Sequence, residues 1–368
     1  MGLRITRPAL REAFAARGKD LDKASHQEMR SLVCAQCHVE YYFKDKYYLT
    51  FPWTDGMGVD EIIGTYDKIG FSDWVHPISK TPMLKAQHPD YELWSTGIHA
   101  FRGVSCADCH MPYRTEGGMK FTDHHVQSPL LNIANSCAVC HRWSEEEIRG
   151  RVTSIQTKVF LARNKVEDVL VRAHFDVAAA LQIGVSDELL SESRKLLRHA
   201  QFRWDFISSS NGMGFHSPQE SMRVLGDAAI DAQQVRILVA RLLASKGIAR
   251  EPTYPDTSTR TQAFQVAEAY AGVSQDAPPP PPPTAAPRPA EAPAPVLAKP
   301  KVTPGTAADP AAKPARNPTV PPAVAKPANP AAPGAKPWSP TAPPANAKPK
   351  AAGTPGNAPA KPSEEKPK

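Results

Sequence analysis

Hydrophobic and polar positions follow a helical spacing near both ends of the first 250 residues, and much less so between them. Residues 9–17 favour a short helix. Ser25, followed three residues later by Glu28, forms a capping-box pattern just before the apolar run Met29–Val33. The first 33 residues therefore predict a short helical lead-in.

The most regular helical periodicity begins at residue 144. Ser144 and Glu147 form a second capping-box pattern, and a second long helix is predicted over Ser186–Phe206. The apolar positions that follow Ser144 at helical spacing are Ile148, Val152, Ile155, Val159, Val166 and Val169.

A third long helix is predicted between Ser217 and Gly247. Ser217 to Glu220 forms a capping-box pattern with Pro218 at the first helical position, and Gly247 ends the helix. Such a helix packs a core or forms a subunit interface. The expected buried stripe is Leu225, Ala228, Ala232, Val235, Leu238 and Leu242.

Residues 34–143, between these helical parts, have little long periodicity and are rich in Gly, Pro, Asp, His and aromatic residues. Globular chains rarely run so far without regular elements. We therefore expect something besides side chains to organise the core here. The sequence divides into a loop-rich region (1–143), a long-helix region (144–250) and a linker with a tail (251–368).

Composition separates the tail from the rest of the 368 residues. Most of the 39 prolines follow residue 275, and residues 276–368 hold 12 Lys and Arg against 5 Asp and Glu, the whole formal net charge of +7. A Pro/Ala/Lys-rich segment cannot offset its ordering entropy, so the tail is predicted to be disordered. It is either an extended spacer or an extension without a role. The neutral remainder gives no support for nucleic-acid binding.

All six cysteines occur in three Cys-x-x-Cys-His motifs, a pattern that attaches c-type haem. The two thiols form thioethers to the haem, and the adjacent histidine becomes the proximal iron ligand. Zinc is the alternative for a single Cys-x-x-Cys, but three copies that use every cysteine favour haem. The motifs are Cys34, Cys37 and His38; Cys106, Cys109 and His110; and Cys137, Cys140 and His141.

Further histidines are available as second axial ligands. His174 and His199 fall inside helical patterns and are expected to be core or surface residues. His216 ends the loop 211–216, whose glycines allow the backbone to approach a flat cofactor closely. Thioether attachment requires export, so we expect a periplasmic protein, although Met1–Pro8 lacks the apolar core of a signal peptide and no apolar run is long enough to span a membrane.

The segment Cys34–Phe43 carries a more specific pattern than the haem motif alone. It resembles the central haem segment of the pentahaem cytochrome c nitrite reductases, the ammonia-forming cytochrome c-552 family, and the resemblance covers about residues 1–250. Further matching segments follow in order: Lys85–Pro89, Gly97–His99, Cys106–Pro112, Thr122–His124, Cys137–His141 and Gly214–His216.

This resemblance implies a mainly α multihaem cytochrome c, with a haem-organised, loop-rich region followed by long C-terminal helices. It implies three haems c on this chain and five in a complete family member. His99 would be the distal ligand of the haem at Cys137 and Cys140, and His216 that of the haem at Cys106 and Cys109. His124 would serve the family's second haem, with His125 as the alternative.

The distal ligand of the haem at His38 is expected upstream of this chain, with His26 as the alternative within it. The resemblance also implies a Ca²⁺ site built from the Glu40 carboxylate, the Gln87 amide oxygen and the backbone carbonyls of Tyr41 and Lys85, a set of hard oxygen ligands. Tyr41 and His88 would line the nitrite pocket as hydrogen-bond and proton donors.

Three family features have no counterpart here: a Cys-x-x-Cys-Lys haem motif, one further Cys-x-x-Cys-His and a pocket arginine. We therefore expect the chain to be the C-terminal part of a periplasmic enzyme that reduces nitrite to ammonium. The expected partners are a second copy, bound through the C-terminal helices, and a quinol dehydrogenase or small cytochrome as electron donor. The alternatives are a multihaem electron carrier and an inactive truncated fragment.

Overall fold

A computed structural model describes residues 4–272. Ten α-helices account for most of this part of the chain, and three of them are long. Their bounds are α1 Pro8–Ala16, α2 His26–Leu32, α3 Val59–Lys68, α4 Asp90–Ser95, α5 Ile98–Phe101, α6 Cys106–His110, α7 Glu145–Gln182, α8 Asp187–Ser208, α9 Pro218–Ser245 and α10 Arg260–Tyr270. The expectation of a mainly α protein is confirmed.

The strands form three separate antiparallel pairs, β1 with β2, β3 with β4 and β5 with β6. The β5–β6 hairpin turns at Gly117 and Gly118, whose φ angles of 56° and 78° suit the left-handed conformation of a tight two-residue turn. The strands are β1 Tyr42–Lys44, β2 Tyr48–Thr50, β3 Trp74–Val75, β4 Pro82–Met83, β5 Tyr113–Glu116 and β6 Met119–Thr122.

The long helices α7, α8 and α9 pack against one another and supply much of the buried core. Both capping boxes predicted at Ser25 and Ser144 are present, at the starts of α2 and α7. On α9, Val239 and Leu243 are buried, whereas the predicted Leu238 and Leu242 are only partly buried. The apolar stripe of α9 therefore shifts by one residue along its last two turns.

The N-terminal region has an aromatic core, although its connections are irregular. Trp53 is almost fully buried, and its ring contacts those of Phe14, Phe51 and Tyr91. Aromatic contacts of this kind add to the stability that comes from the buried area itself. This cluster holds α1 against residues 51–53 and against α4.

Two sequence-based expectations are wrong. Ser217 precedes α9 as predicted, but its side chain makes no capping bond, because its backbone (φ −152°, ψ 85°) departs from the usual cap conformation. Residues 251–272, expected to begin a linker, include α10, which buries Val266 and Tyr270 against Phe175. The predicted disordered tail lies outside the described residues.

The two histidines expected inside helices are there. His174 of α7 is buried between Ser79 Oγ at 2.9 Å and Gln201 Oε1 at 2.6 Å. His199 of α8 lies 2.7 Å from Asp67 Oδ2. Within residues 4–272, no helix combines the length and apolar character that crossing a bilayer requires.

Candidate haem and anion sites

The three Cys-x-x-Cys-His motifs occupy three different local structures. The first follows α2 as a turn in which the Cys37 and His38 amides bond the Cys34 carbonyl. The second is α6 itself, started by a capping box between Ser105 and Asp108. The third begins with a short 3₁₀ turn over Cys137–Val139. All six cysteines lie among the described residues and none is in a disulfide, so each is available for a thioether bond.

The second motif faces the histidine that the sequence assigned to it. The ring centroids of His110 and His216 lie 6.3 Å apart, with the ring planes inclined at 67°. Two imidazoles bound to opposite sides of one iron hold their centroids about 6.4 Å apart, because each metal–nitrogen bond is about 2.0 Å and the ring nitrogen lies about 1.2 Å from the centroid. The separation therefore matches a histidine pair that shares one iron.

The third motif shows the same relation. The rings of His99 and His141 are 6.2 Å apart and nearly perpendicular, at 84°. Trp143 stacks on His141 at 5.0 Å, and the Arg151 guanidinium lies 3.8 Å from the Trp143 ring centroid. The structure thus brings together both of the histidine pairs predicted for these two haems.

The orientation of His110 is set by its backbone surroundings. Its Nδ1 lies 2.9 Å from the Gln127 carbonyl oxygen and donates a hydrogen bond to it. Since the proton is then on Nδ1, Nε2 keeps its lone pair, as an iron ligand must. Burial lowers the pKa of His110, which favours the same neutral form.

Glycines bring the backbone close to His216. A Cβ added at Gly212 would lie 2.7 Å from His216 Nδ1, and one at Gly97 would lie 2.0 Å from the His216 carbonyl oxygen. Gly214, with a φ of 81°, passes equally close to Val159. Side chains at Gly97 or Gly212 would displace His216, so the close backbone around this histidine fits a haem ligand held in a fixed position.

Asp90 is a residue that sequence reasoning missed. Its carboxylate is largely buried and lies 3.5 Å from His216 Nδ1 and 3.7 Å from His38 Nδ1. Burial alone would raise the pKa of Asp90, but the interactions with His216 and His38 and a hydrogen bond from Ser210 outweigh it and hold this pKa well below its usual range. Asp90 is therefore ionised beside two predicted haem ligands.

The remaining predicted ligands are not brought to a partner histidine. His124 is exposed on the segment after β6, and its neighbour His125 is held by Asp123 through a 2.9 Å contact between Nδ1 and Oδ1. His26 is exposed at the start of α2. The choice between His124 and His125, and the distal ligand of the His38 haem, stay predictions.

The residues predicted for calcium lie together. Glu40 is fully buried, and its Oε2 accepts a hydrogen bond of 2.6 Å from the backbone amide of Gln87. Gln87 Nε2 lies 3.4 Å from the Lys85 carbonyl oxygen, while Lys85 Nζ is occupied by Asp205. The carboxylate, amide and carbonyl oxygens of these residues are a donor set that suits Ca²⁺. Residues 4–272 show no cluster of three or more His, Cys and acidic side chains placed to hold a metal.

A second buried carboxylate, also missed from the sequence, supports Glu40. Glu92 Oε1 accepts bonds of 2.9 Å from the Glu40 amide and from Trp53 Nε1, and its buried Oε2 has no hydrogen-bond partner among the described residues. Burial raises the pKa of Glu92 to about 8 and raises that of Glu40 well above its usual range. A bound cation would favour the charged form of Glu40 instead.

The predicted anion-pocket residues are neighbours. Tyr41 follows Glu40, and its ring centroid lies 6.3 Å from that of His88. His88 lies against the same segment, because its backbone amide donates a hydrogen bond to the Val39 carbonyl. The backbone amide of Tyr91, three residues later, donates to the His38 carbonyl. The first haem motif, Glu40 and the Tyr41–His88 pair therefore form one continuous unit.

The fold is mainly helical and carries three attachment motifs, and two of the motif histidines have a second histidine at the separation that one iron requires. These features define a multihaem c-type cytochrome. Comparison with known proteins agrees: residues 1–279 match the sequence profile of the cytochrome c552 family. The chain belongs to this family.

Curated relatives named cytochrome c-552 are close in sequence. That of Bacteroides fragilis is 54% identical over 264 residues, covering 72% of this chain and 54% of the relative. That of Parabacteroides distasonis is 52% identical over 266 residues, with the same coverage. The chain thus spans about half the length of the curated relatives it matches.

A solved structure shares the fold. It is the catalytic subunit of cytochrome c nitrite reductase from Desulfovibrio desulfuricans, which was described with two calcium sites. It is 33% identical to this chain, with a TM-score of 0.61, and the similarity covers 76% of this chain and 59% of that one.

Proposed function

We propose that this chain is the C-terminal part of a periplasmic, ammonia-forming cytochrome c nitrite reductase and that it carries three haems c. One observation carries the proposal. Two of the three motif histidines, His110 and His141, already face a second histidine at the separation that one iron requires. Family membership and the fold shared with a nitrite reductase add to this support.

When bound, haem supplies an iron that accepts and passes on one electron at a time. The chain's own residues attach the haem through thiols and orient it through imidazoles. His216 and His99 would bind the same irons as His110 and His141, so these two haems would have no position left for a substrate. They serve electron transfer within the proposed enzyme.

Substrate handling is assigned to Tyr41 and His88. Both side chains donate hydrogen bonds, which suits an anion such as nitrite, and an imidazole also transfers protons near neutral pH. The reduction of nitrite to ammonium consumes protons as well as electrons, so such donors are required. Calcium bound by Glu40, Gln87 and the carbonyls of Tyr41 and Lys85 would hold Tyr41 in place and add a positive field.

Two partners are part of the proposal. The exposed apolar side chains Phe160 and Leu161 of α7 and Ile230 and Ile237 of α9 support pairing with a second copy through the long helices. A quinol dehydrogenase or small cytochrome is proposed as the electron donor.

A second function, electron transfer without nitrite reduction, is favoured by the cysteine count. The six cysteines provide three attachment sites, all of the Cys-x-x-Cys-His type. With three haems of that type alone, the chain would conduct electrons whether or not it reduces nitrite.

The deciding experiment is ammonium production from nitrite by protein purified from its native source, with a chemical reductant. We expect ammonium, with strongly reduced turnover in Tyr41→Phe and His88→Asn. Tyr47→Phe is the matched control, because this tyrosine is 88% exposed at the β1–β2 turn. Rapid haem oxidation and reduction without ammonium would contradict nitrite reduction and establish the electron carrier.

A further inference from the structure

A single buried carboxylate lies between histidines assigned to two different haems. His38 belongs to the first attachment motif, whereas His216 is paired with His110 of the second. Asp90 Oδ2 lies 3.7 Å from His38 Nδ1, and Asp90 Oδ1 lies 3.5 Å from His216 Nδ1. Both imidazoles thus present the same ring nitrogen to one acidic side chain.

The carboxylate is held in place by the loop between α8 and α9. Ser210 Oγ donates to Oδ1 at 2.9 Å, and Asn211 Nδ2 donates to Oδ2 at 3.1 Å. The Gly212 amide adds a third, longer bond of 3.4 Å to Oδ1. Because this loop holds both oxygens, the carboxylate is fixed next to the two histidines.

His216 needs an acceptor at this position. Its Nδ1 is fully buried and has no hydrogen-bond partner among the described residues, and a buried donor without a partner is costly. Asp90 Oδ1, at 3.5 Å, is an acceptor that a small movement of the ring would bring within hydrogen-bond distance. When iron occupies Nε2, the proton is on Nδ1, and the ring donates toward Asp90.

We propose that Asp90 is a positioning residue shared by two haems: its carboxylate accepts the Nδ1 protons of His38 and His216 and sets the orientation of both rings. A carboxylate that accepts the Nδ1 proton of an iron-bound imidazole makes the imidazole a stronger electron donor. This stabilises ferric iron and lowers the reduction potential. Asp90 thereby lowers two potentials together. This inference rests on the proposed haem ligation by these two histidines.

The test is Asp90→Asn in the full, haem-loaded chain, read as the midpoint potential of each haem by a spectroscopic redox titration. The substitution keeps the shape and removes the charge. We expect both potentials to rise, each by about a tenfold change in the reduction equilibrium, which is about 59 mV for a one-electron couple. The haem at His141, whose pair includes neither His38 nor His216, keeps its potential.

Asp67→Asn is the matched control. Asp67 also bonds a histidine, His199 at 2.7 Å, but that histidine is not a proposed haem ligand. All potentials should match those of the wild type. A shift at only one haem in Asp90→Asn, or at neither, would overturn the shared role.

Ser210→Ala provides a second variant that leaves the carboxylate in place. Without the Ser210 bond, the carboxylate becomes a stronger acceptor, so both potentials should fall, opposite to Asp90→Asn. A loosened structure would not produce this reversal of sign, and unchanged or raised potentials would overturn the proposal. Wild-type protein that lacks low-spin, histidine-ligated haem would refute the proposed function, and this inference with it, before any variant is compared.

Discussion

Gly97→Ala places a methyl group where the chain passes closest to a predicted haem ligand. A Cβ at residue 97 would lie 2.0 Å from the carbonyl oxygen of His216, whereas Cβ atoms essentially never approach another atom to less than 3.0 Å. That oxygen belongs to the backbone, so it cannot rotate away as a flexible side chain would. The two segments must therefore separate.

The required displacement is at least about 1 Å, given the contact at residue 97. Overpacking of this kind costs about 1–3 kcal/mol of the free energy of unfolding. The same movement disturbs the 6.3 Å separation of His110 and His216. We expect part of the haem at Cys106 and Cys109 to lose its distal ligand and become high-spin.

The assay combines urea unfolding with the absorption spectrum of the haem-loaded protein. Gly64→Ala is the matched control, because this glycine lies within α3, an added methyl group would meet only open space there, and the variant should gain about 0.5–1 kcal/mol. A Gly97→Ala protein with wild-type stability and wholly low-spin haem would refute the assigned packing of His216.

Three further predictions concern buried charge. Burial lowers the pKa of His174 from 6.5 to about 4. The unfolded chain therefore takes up this proton at a higher pH than the folded chain, and about 3 kcal/mol of the free energy of unfolding, present above pH 6.5, should be lost as the pH falls towards 4. His174→Gln should flatten that urea-measured dependence, and an unchanged slope would contradict it. Asp205→Asn weakens the carboxylate contacts with Lys85 Nζ and the Ala86 amide and should cost about 1–3 kcal/mol in urea unfolding; a wild-type midpoint would contradict this. Glu40→Gln should abolish Ca²⁺ binding in calorimetry, whereas the exposed Glu188→Gln should not; retained binding in Glu40→Gln would refute the site.

Local signals made the helices predictable. Ser25 and Ser144 cap their helices as expected because a capping box depends on residues three positions apart. The same pattern failed at Ser217, where the preceding loop imposes a backbone conformation that the four-residue motif does not reveal. The helix α10 was missed because its burial depends on Phe175, which is far away in the sequence.

In the candidate site, too, local patterns could be predicted from the sequence and long-range contacts could not. The attachment cysteines could be assigned from spacing, whereas the histidine pairs came from a family resemblance and not from spacing. Asp90 and Glu92 resemble ordinary acidic residues at the start of a short helix. Asp90 bonds Ser210, 120 positions later, so no local pattern could have identified its role.

The most direct test of the central claim is the intact mass and peptide map of the chain matured with a c-type haem attachment system, combined with low-temperature electron paramagnetic resonance. We predict three covalent haems, one each at Cys34/Cys37, Cys106/Cys109 and Cys137/Cys140, with the second and third showing low-spin signals of histidine pairs. Fewer than three haems, or zinc in their place, would contradict the account.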